Sequence, residues 1–509
     1  MIRNFLKTNY DAILLGILGF FIVQLFTRHN GIGISPDSIA YASAARNFIE
    51  GKGFTDYLNA PLVLFPLFYP FFLALIMFVS NIDIVETAPY INGFLFALVI
   101  FFSGILIESF KYKTKLYKRI VLILIAISPS LIEIYTMLWS ETLFILLCLV
   151  FFLNFKRYFQ THSLLSLSIV AMVSAIAFDT RYAGITLLAT GELLILFDKN
   201  LSWPRKFSHG IYFGCISVSL VFINLIRNIW EVGLATGKRQ EGTTLLSKNI
   251  EYSGKVFTDW FSFDINNQLF LKLIFILVII LFISFFIRNI KHWKAYYTYE
   301  NILVAFFVVY VLFIIVSSTI SRYESINNRL LAPAFIPLLL VSTCQIPKWR
   351  ESLSKRLLRW IIWGFSLGIG GLFVYSFIMI NKDNLEYMLE TGIPGYSEDT
   401  WQKSQLVTYL RKDPEIFKMN ENVYSNHCQA VYFLTGNQCA TLPEMAYNED
   451  VKEFFTNTSC ILIWFNLDNN PDLLNLKEIS KIMHLQPIKT FRDGTIYKLS
   501  KKQNNKYSD

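Results

Sequence analysis

The chain has 509 residues, of which 54% are hydrophobic and 16% charged, with 47 phenylalanines and a mean hydropathy of +0.44. This composition excludes a soluble globular protein and points to a polytopic helical membrane protein. The formal net charge of +9 does not indicate nucleic acid, because Lys and Arg gather in short loops between apolar runs and no aromatic-interleaved basic patch lies outside them.

The first apolar run, within MIRNFLKTNYDAILLGILGFFIVQLFTRHNG, is long and has no small-residue cleavage site after it. It reads as an uncleaved first span rather than a signal peptide. Next comes GISPDSIAYASAARNFIEGKGF, residues 33–54. Ser35 or Asp37 is placed to cap a helix beginning near Ser38, and Ile39, Ala42, Ala45, Arg46 and Ile49 give that helix a mixed amphipathic face. The run 61–80 carries Pro61, Pro66 and Pro70 in its first half. The short uninterrupted remainder suits an interfacial or re-entrant segment better than a span.

Further apolar runs fall at 87–108, 119–137, 140–155, 163–178, 182–197, 207–227, 268–288, 299–320, 329–346 and 357–380. With 11–27 they give about eleven spans. Charge sets their orientation. If 61–80 does not cross and the N-terminus is cytoplasmic, the loops 111–119, 156–162, 198–206, 288–294 and 347–359 all lie inside, and each is basic. If 61–80 crossed, all of them would lie outside, against the positive-inside rule. The pieces 28–86, 138–142, 178–184, 227–267 and 318–329 are then external, as is the tail.

The expected fold is therefore an all-α polytopic membrane domain over 1–380, with about eleven spans and two juxtamembrane helices in the first outer loop. From 381 to 509 short β-rich runs alternate with polar turns, which reads as a small extracytoplasmic α/β domain. Six Cys are present. Cys148, Cys215 and Cys344 lie in apolar runs and read as ordinary small core residues. Cys428 and Cys439 lie in the tail and can pair if it faces an oxidising compartment. No CxxC, HExxH or clustered His marks a metal site.

The inner loops are short, so function is expected on the outer face. There Asp37 has company: Glu141, Asp179, Arg181, Arg227, Arg239, Arg322 and Arg329. Several sit at the ends of apolar segments, where charge is costly unless it is paired or faces a polar cavity. Acids and arginines converging at one membrane face suit a phosphate-bearing amphiphile and a general base. Each residue also has a plainer reading. Asp37 and Glu141 can be helix caps, Asp179 and Arg181 a local ion pair, Arg329 a snorkelling cation, and Tyr41 and Tyr182 interfacial aromatics.

In this order, SPDSIAYASAARNFIEGKGF, PLFYPFFLALIMFV, WSETLFILL, DTRYAGITLL, RNIWEVGLATGKR and NNRLLAPAFIPLLLV resemble segments of the GT-C superfamily of polytopic glycosyltransferases. The likeness is to the protein O-mannosyltransferases and the lipid A aminoarabinose transferases. VYSNHCQAVYFLTGNQCATLP resembles the outer tail domain of bacterial members. The resemblance implies inverting transfer of a sugar from a polyprenyl-phosphate donor to an acceptor hydroxyl on the extracytoplasmic face. Asp37 matches the family's catalytic aspartate and Glu141 a second acidic position. Arg181 and Arg329 are the first choices for the donor phosphate, followed by Arg227, Arg239 and Arg322. Tyr41 and Tyr182 are candidate substrate contacts. Some relatives hold a divalent metal with paired acids; here Ser38 follows Asp37, so no metal or other cofactor is expected.

The expected partners are the lipid-linked donor, membrane lipid and an acceptor that is a protein, a lipid or a glycan. The expected location is a bacterial inner membrane. Two rivals stay open. One is a lipid or sugar transporter or flippase, against which no internal repeat is visible. The other is a membrane-anchored binding protein that works through its tail.

Overall fold

The computed structural model describes residues 2–322, 324–347, 356–418, 421–467 and 470–502. Most of the basic loop 347–359 lies outside the described residues. The chain forms two compact units, one of residues 1–28 with 63–387 and one of residues 29–62 with 388–509.

The first unit is helical. Its elements are α1 (Ile2–Phe26), α3 (Phe68–Ser80), α4 (Ile84–Glu108), α5 (Lys115–Ala126), α6 (Pro129–Tyr135), α7 (Glu141–Thr161), α8 (Leu164–Thr180), α9 (Ile185–Leu196) and α10 (Trp203–Val232). They are followed by α11 (Leu246–Trp260), α12 (Gln268–Lys291), α13 (Trp293–Tyr296), α14 (Tyr299–Ile320), α15 (Asn328–Leu331), α16 (Phe335–Thr343) and α17 (Arg356–Thr391). Among the described residues, eight helices are long and apolar enough to cross a bilayer. Large apolar side chains such as Phe21, Ile211 and Leu269 remain well exposed on them, as a hydrocarbon solvent permits. The chain is an integral membrane protein.

Three of the eleven expected spans are not among these eight helices. The run 119–137 is not one helix: α5 ends at Ala126, and Ser128 caps a new helix with Pro129 at its first position. A proline there lacks the N–H that would continue α5. The runs 163–178 and 182–197 form α8 and α9, of 17 and 12 residues. The Pro-rich run gives α3, a 13-residue helix that starts only after Pro66.

The core of this unit is built on α7, whose residues from Glu141 to Phe159 are almost all buried. It packs against α4, α8 and α14. Phe151, Phe152, Phe155 and Phe306 interlock there at ring separations of 5.1–6.1 Å.

The second unit joins the segment after α1 to the tail. It contains α2 (Pro36–Ile49), α18 (Asp399–Gln402), α19 (Gln405–Lys412), β1 (Asn422–Ser425), α20 (Cys428–Thr435), β2 (Ala440–Thr441), α21 (Asn448–Phe454), β3 (Ser459–Phe465), α22 (Leu476–Ile482), β4 (Met483–Phe491) and β5 (Gly494–Lys501). The strands form one mixed sheet in the order β2-β1-β3-β5-β4, with β1 parallel to both β2 and β3. The central strand β3, SCILIWF, is nearly all buried, as a strand covered on both faces should be.

Residues 29–62 are tied into this unit by backbone. Tyr396 N donates to Ile34 O (2.8 Å) and Ser397 Oγ to Ile32 O (2.6 Å). Gly395 has φ +110°, and a Cβ there would stand 2.5 Å from Ile34 O, so only glycine allows this approach.

Candidate active site

In the second unit, α2 starts at Pro36, two residues earlier than expected, because proline at the first helical position presets the helical φ. The cap is Ser35. Its Oγ accepts from Ser38 N (3.4 Å), and Ser38 Oγ accepts from Ser35 N (3.0 Å), closing a capping box. The capping role therefore belongs to the serines. Asp37 occupies the second helical position and is half-buried. Tyr41, one turn on, is buried within the same unit.

In the first unit, three of the selected residues come together. Glu141 opens α7, where the helix N-terminus favours a carboxylate. The linker before it is held by Asn92 of α4, whose Nδ2 donates to Tyr135 O (3.1 Å) and Met137 O (2.8 Å). Tyr135 donates its hydroxyl to Thr142 O (3.0 Å). Glu141 is fully buried. Its Oε1 receives Arg181 Nη1 at 2.5 Å and Arg329 Nε at 2.6 Å.

Arg181 leaves the end of α8 in extended conformation, followed by a tight turn at Tyr182–Gly184. A Cβ on Gly184 would meet Phe178 Cα at 2.4 Å and Ala177 O at 2.5 Å. The glycine is thus what lets the turn fold back and send Arg181 towards α7. Arg181 Nη1 also donates to Ser140 Oγ (3.0 Å). Arg329 projects from α15, which Asn327 caps through Leu330 N (3.1 Å). Its guanidinium stacks on Trp139, 4.3 Å from the ring centroid. The next residue back, Asn328, is fixed by Trp260 Nε1 (2.7 Å) and by Glu133 Oε2 (2.6 Å).

One buried carboxylate thus serves two guanidiniums. The next acid, Glu324, is 3.7 Å from Arg329 and its side chain is 46% exposed, so solvent weakens that pair. Glu141 Oε2 is buried without a hydrogen-bond partner.

The expected Asp179–Arg181 ion pair does not form. Arg181 turns to Glu141 instead, and Asp179 accepts from Leu67 N just ahead of α3. Asp179 is 8% exposed, and its Oδ1 has no hydrogen-bond partner. Beside it, Arg239 lies over the Tyr182 ring at 5.8 Å and donates to Leu64 O (3.2 Å). Residues 64–67 therefore link Asp179 to Arg239. Of the other two arginines, Arg227 Nη1 donates to Asn228 Oδ1 (3.2 Å) and Arg322 Nη1 to Gln240 Oε1 (2.9 Å).

Sequence reasoning missed Trp139 and Ser140 as parts of the cluster. The available signal was Trp and Ser directly ahead of an acid that opens a helix. Among the described residues no three His, Cys, Asp or Glu side chains are grouped to hold a metal ion.

No protein-family model matches the sequence, and no curated protein matches it. Solved structures do. The chain is similar to ArnT from Cupriavidus metallidurans, in the apo state and bound to undecaprenyl phosphate, with a TM-score of 0.54 and 10% identity over 96% of this chain and 97% of that one. It is also similar to the archaeal oligosaccharyltransferase AglB from Archaeoglobus fulgidus, in complex with an inhibitory peptide and a dolichol-phosphate. There the TM-score is 0.54, with 9% identity over 90% of this chain and 70% of that one. Over most of its length the chain shares the fold of these two structures.

Proposed function

We propose that this protein is a glycosyltransferase that moves a sugar from a polyprenyl-phosphate carrier to an acceptor hydroxyl on the extracytoplasmic face, with inversion. The observation that carries the reading is the buried Glu141–Arg181–Arg329 cluster, in which one carboxylate oxygen holds two guanidiniums, set at one end of a membrane helix bundle of GT-C fold. The ArnT and AglB structures carry undecaprenyl phosphate and dolichol-phosphate, which supports a lipid phosphate as the ligand here.

The chemistry explains why guanidiniums are useful there. The acceptor oxygen attacks the anomeric carbon, the bond from that carbon to the phosphate oxygen breaks, and the hydroxyl proton passes to a base. The carrier changes from a singly charged phosphodiester to a phosphate monoester that gains a second negative charge. At an effective dielectric of about 20, one guanidinium about 4 Å from that new charge contributes about 4 kcal/mol. This is about a thousandfold in rate when the interaction strengthens only as the bond breaks.

Asp37 is the proposed base. Its helix is already capped by Ser35 and Ser38, so the carboxylate is not needed for capping. Glu141 aligns the two arginines, and Arg239, Tyr182, Arg227, Arg322 and Tyr41 are the further candidates for donor and substrate contacts. The proposed membrane is a bacterial inner membrane.

The test is a transfer assay in nanodiscs with radiolabelled polyprenyl-phosphate monosaccharides and membrane extract as acceptor. Wild type should transfer one sugar, and Asp37→Asn should lose about 10²–10⁴-fold with its melting temperature unchanged. Equal donor binding by both proteins with no transfer or donor hydrolysis across the panel would favour a transporter.

A further inference from the structure

The tail contains a second chemical feature, independent of the proposed transfer. Helix α20 starts at Cys428 and stops at Gly436, whose φ of +75° turns the chain back. Three residues later Cys439 leads into β2, which pairs in parallel with β1, Tyr424 opposite Ala440 and Ser425 opposite Thr441. Strand β1 itself feeds α20. This short crossover brings the chain back to the start of the helix. Cys428 Sγ lies against the backbone oxygen of Cys439, and the two side chains are in hydrogen-bond contact. Both residues are buried, at 0% and 4% exposure. Cys460 sits on the neighbouring strand β3, opposite Asn422.

The segment 29–62 covers this corner. Gln438 Nε2 donates to Tyr57 O (2.6 Å), Tyr57 OH lies 3.4 Å from Thr441 Oγ1, and the Tyr57 ring lies 5.3 Å from that of Tyr432 on α20. The crossover and the segment that carries α2 therefore share one packed surface.

We propose that Cys428 and Cys439 are joined as a disulfide in the working protein, stapling the start of α20 to β2 under Tyr57. The oxidant is a thiol–disulfide exchange protein of the extracytoplasmic compartment. The Cys428 thiolate attacks the donor's disulfide and forms a mixed disulfide. The Cys439 thiolate then displaces the donor, which leaves as a dithiol carrying the two electrons. The two thiol protons go to the donor sulfurs or to water. Contact with the Cys439 thiol holds Cys428 below the ordinary thiol range, while the same contact and burial raise Cys439. Because both sulfurs are enclosed in the folded unit, exchange takes place while the tail folds, and the finished bond is shielded from reductants.

The experiment counts thiols in the full-length protein. Membranes are denatured in N-ethylmaleimide, and the purified protein is measured by intact mass directly and again after reduction and a second alkylation. With six Cys in the chain, four alkylated residues before reduction and six after are expected, with one linked peptide pair mapping to Cys428 and Cys439. The Cys428→Ser, Cys439→Ser double variant should show four in both conditions and a lower melting temperature. Six alkylated residues without reductant, or a bond mapped to Cys460, would overturn the proposal. Neither outcome bears on sugar transfer.

Discussion

Helix α7 carries a buried acid network at each end, and the two ends are built differently. At its C-terminal end His162, with φ +48°, meets Asp198. Asp198 is fully buried, and both of its oxygens are used: Oδ2 by His162 Nε2 (2.8 Å), and Oδ1 by the Tyr297 hydroxyl (2.6 Å) and Asn200 N (2.8 Å). At the N-terminal end Glu141 is equally buried, but one oxygen takes two guanidiniums and the other takes none. The first arrangement is closed and needs nothing more. The second leaves one carboxylate oxygen without a hydrogen-bond partner, as the proposed ligand site would need. Burial and ion pairing do not separate these two ends; complete satisfaction of the oxygens does.

The largest expected effect lies at the open end. Arg181→Met and Arg329→Met should each lower transfer by about a thousandfold, the worth of one guanidinium against the departing phosphate. Each variant should remain folded, because Glu141 keeps the other arginine. Steady-state rates with the identified donor check this, and a loss under tenfold in both would remove the cluster from the chemistry.

Glu141→Gln comes next and should act on stability as well. It leaves two guanidiniums facing each other without their anion, a change worth about 3–5 kcal/mol. Unfolding in nanodiscs reads this out. A variant as stable as wild type would mean that the carboxylate is not what holds the arginines together.

The closed end should respond in the opposite sense. Asp198→Asn loses the His162 pairing and should cost about 1–3 kcal/mol of stability, while transfer by the folded fraction stays within about twofold, well inside the worth of one hydrogen bond. A kcat change as large as that of Arg181→Met would break the distinction between the two ends.

The smallest effect belongs to a third acid, also closed but outside the spans. Asp399 accepts from Lys403 (2.6 Å), Asn30 (2.8 Å) and His29 (3.2 Å). Led by the Lys403 contact, these lower its pKa to about 2 from the ordinary 3.8. A depressed carboxylate stabilises the fold above its unfolded pKa, and the benefit is lost as pH falls through the folded value. The melting-temperature advantage of wild type over Asp399→Asn should therefore be full above about pH 4 and gone near about pH 2. Because the site is at the surface, the advantage is slight. An advantage that grows towards low pH would contradict the assignment.

Much of this could be read from the residues alone. Long apolar runs announce helices that cross a bilayer wherever no proline interrupts them, because the hydrocarbon core imposes a length. Charged residues at the ends of those runs stand out because charge is costly there, and that marked Glu141, Arg181 and Arg329 individually. The serine-proline start of α2 and the alternation in the tail are likewise local signals. Partnership is not local. Glu141 and Arg329 are 188 residues apart in sequence. Arg181 passes over Asp179, two positions away, because the Gly184 turn aims it at α7. The serines, not Asp37, fill the cap, and the sheet order β2-β1-β3-β5-β4 places distant strands side by side. Which residues are expensive to bury and which segments must be helical follow from transfer energies and nearest-neighbour geometry, and so are written in the residues themselves. Which charge meets which, and which oxygen stays open, depends on how helix ends converge across long stretches of chain, and so emerges only on folding.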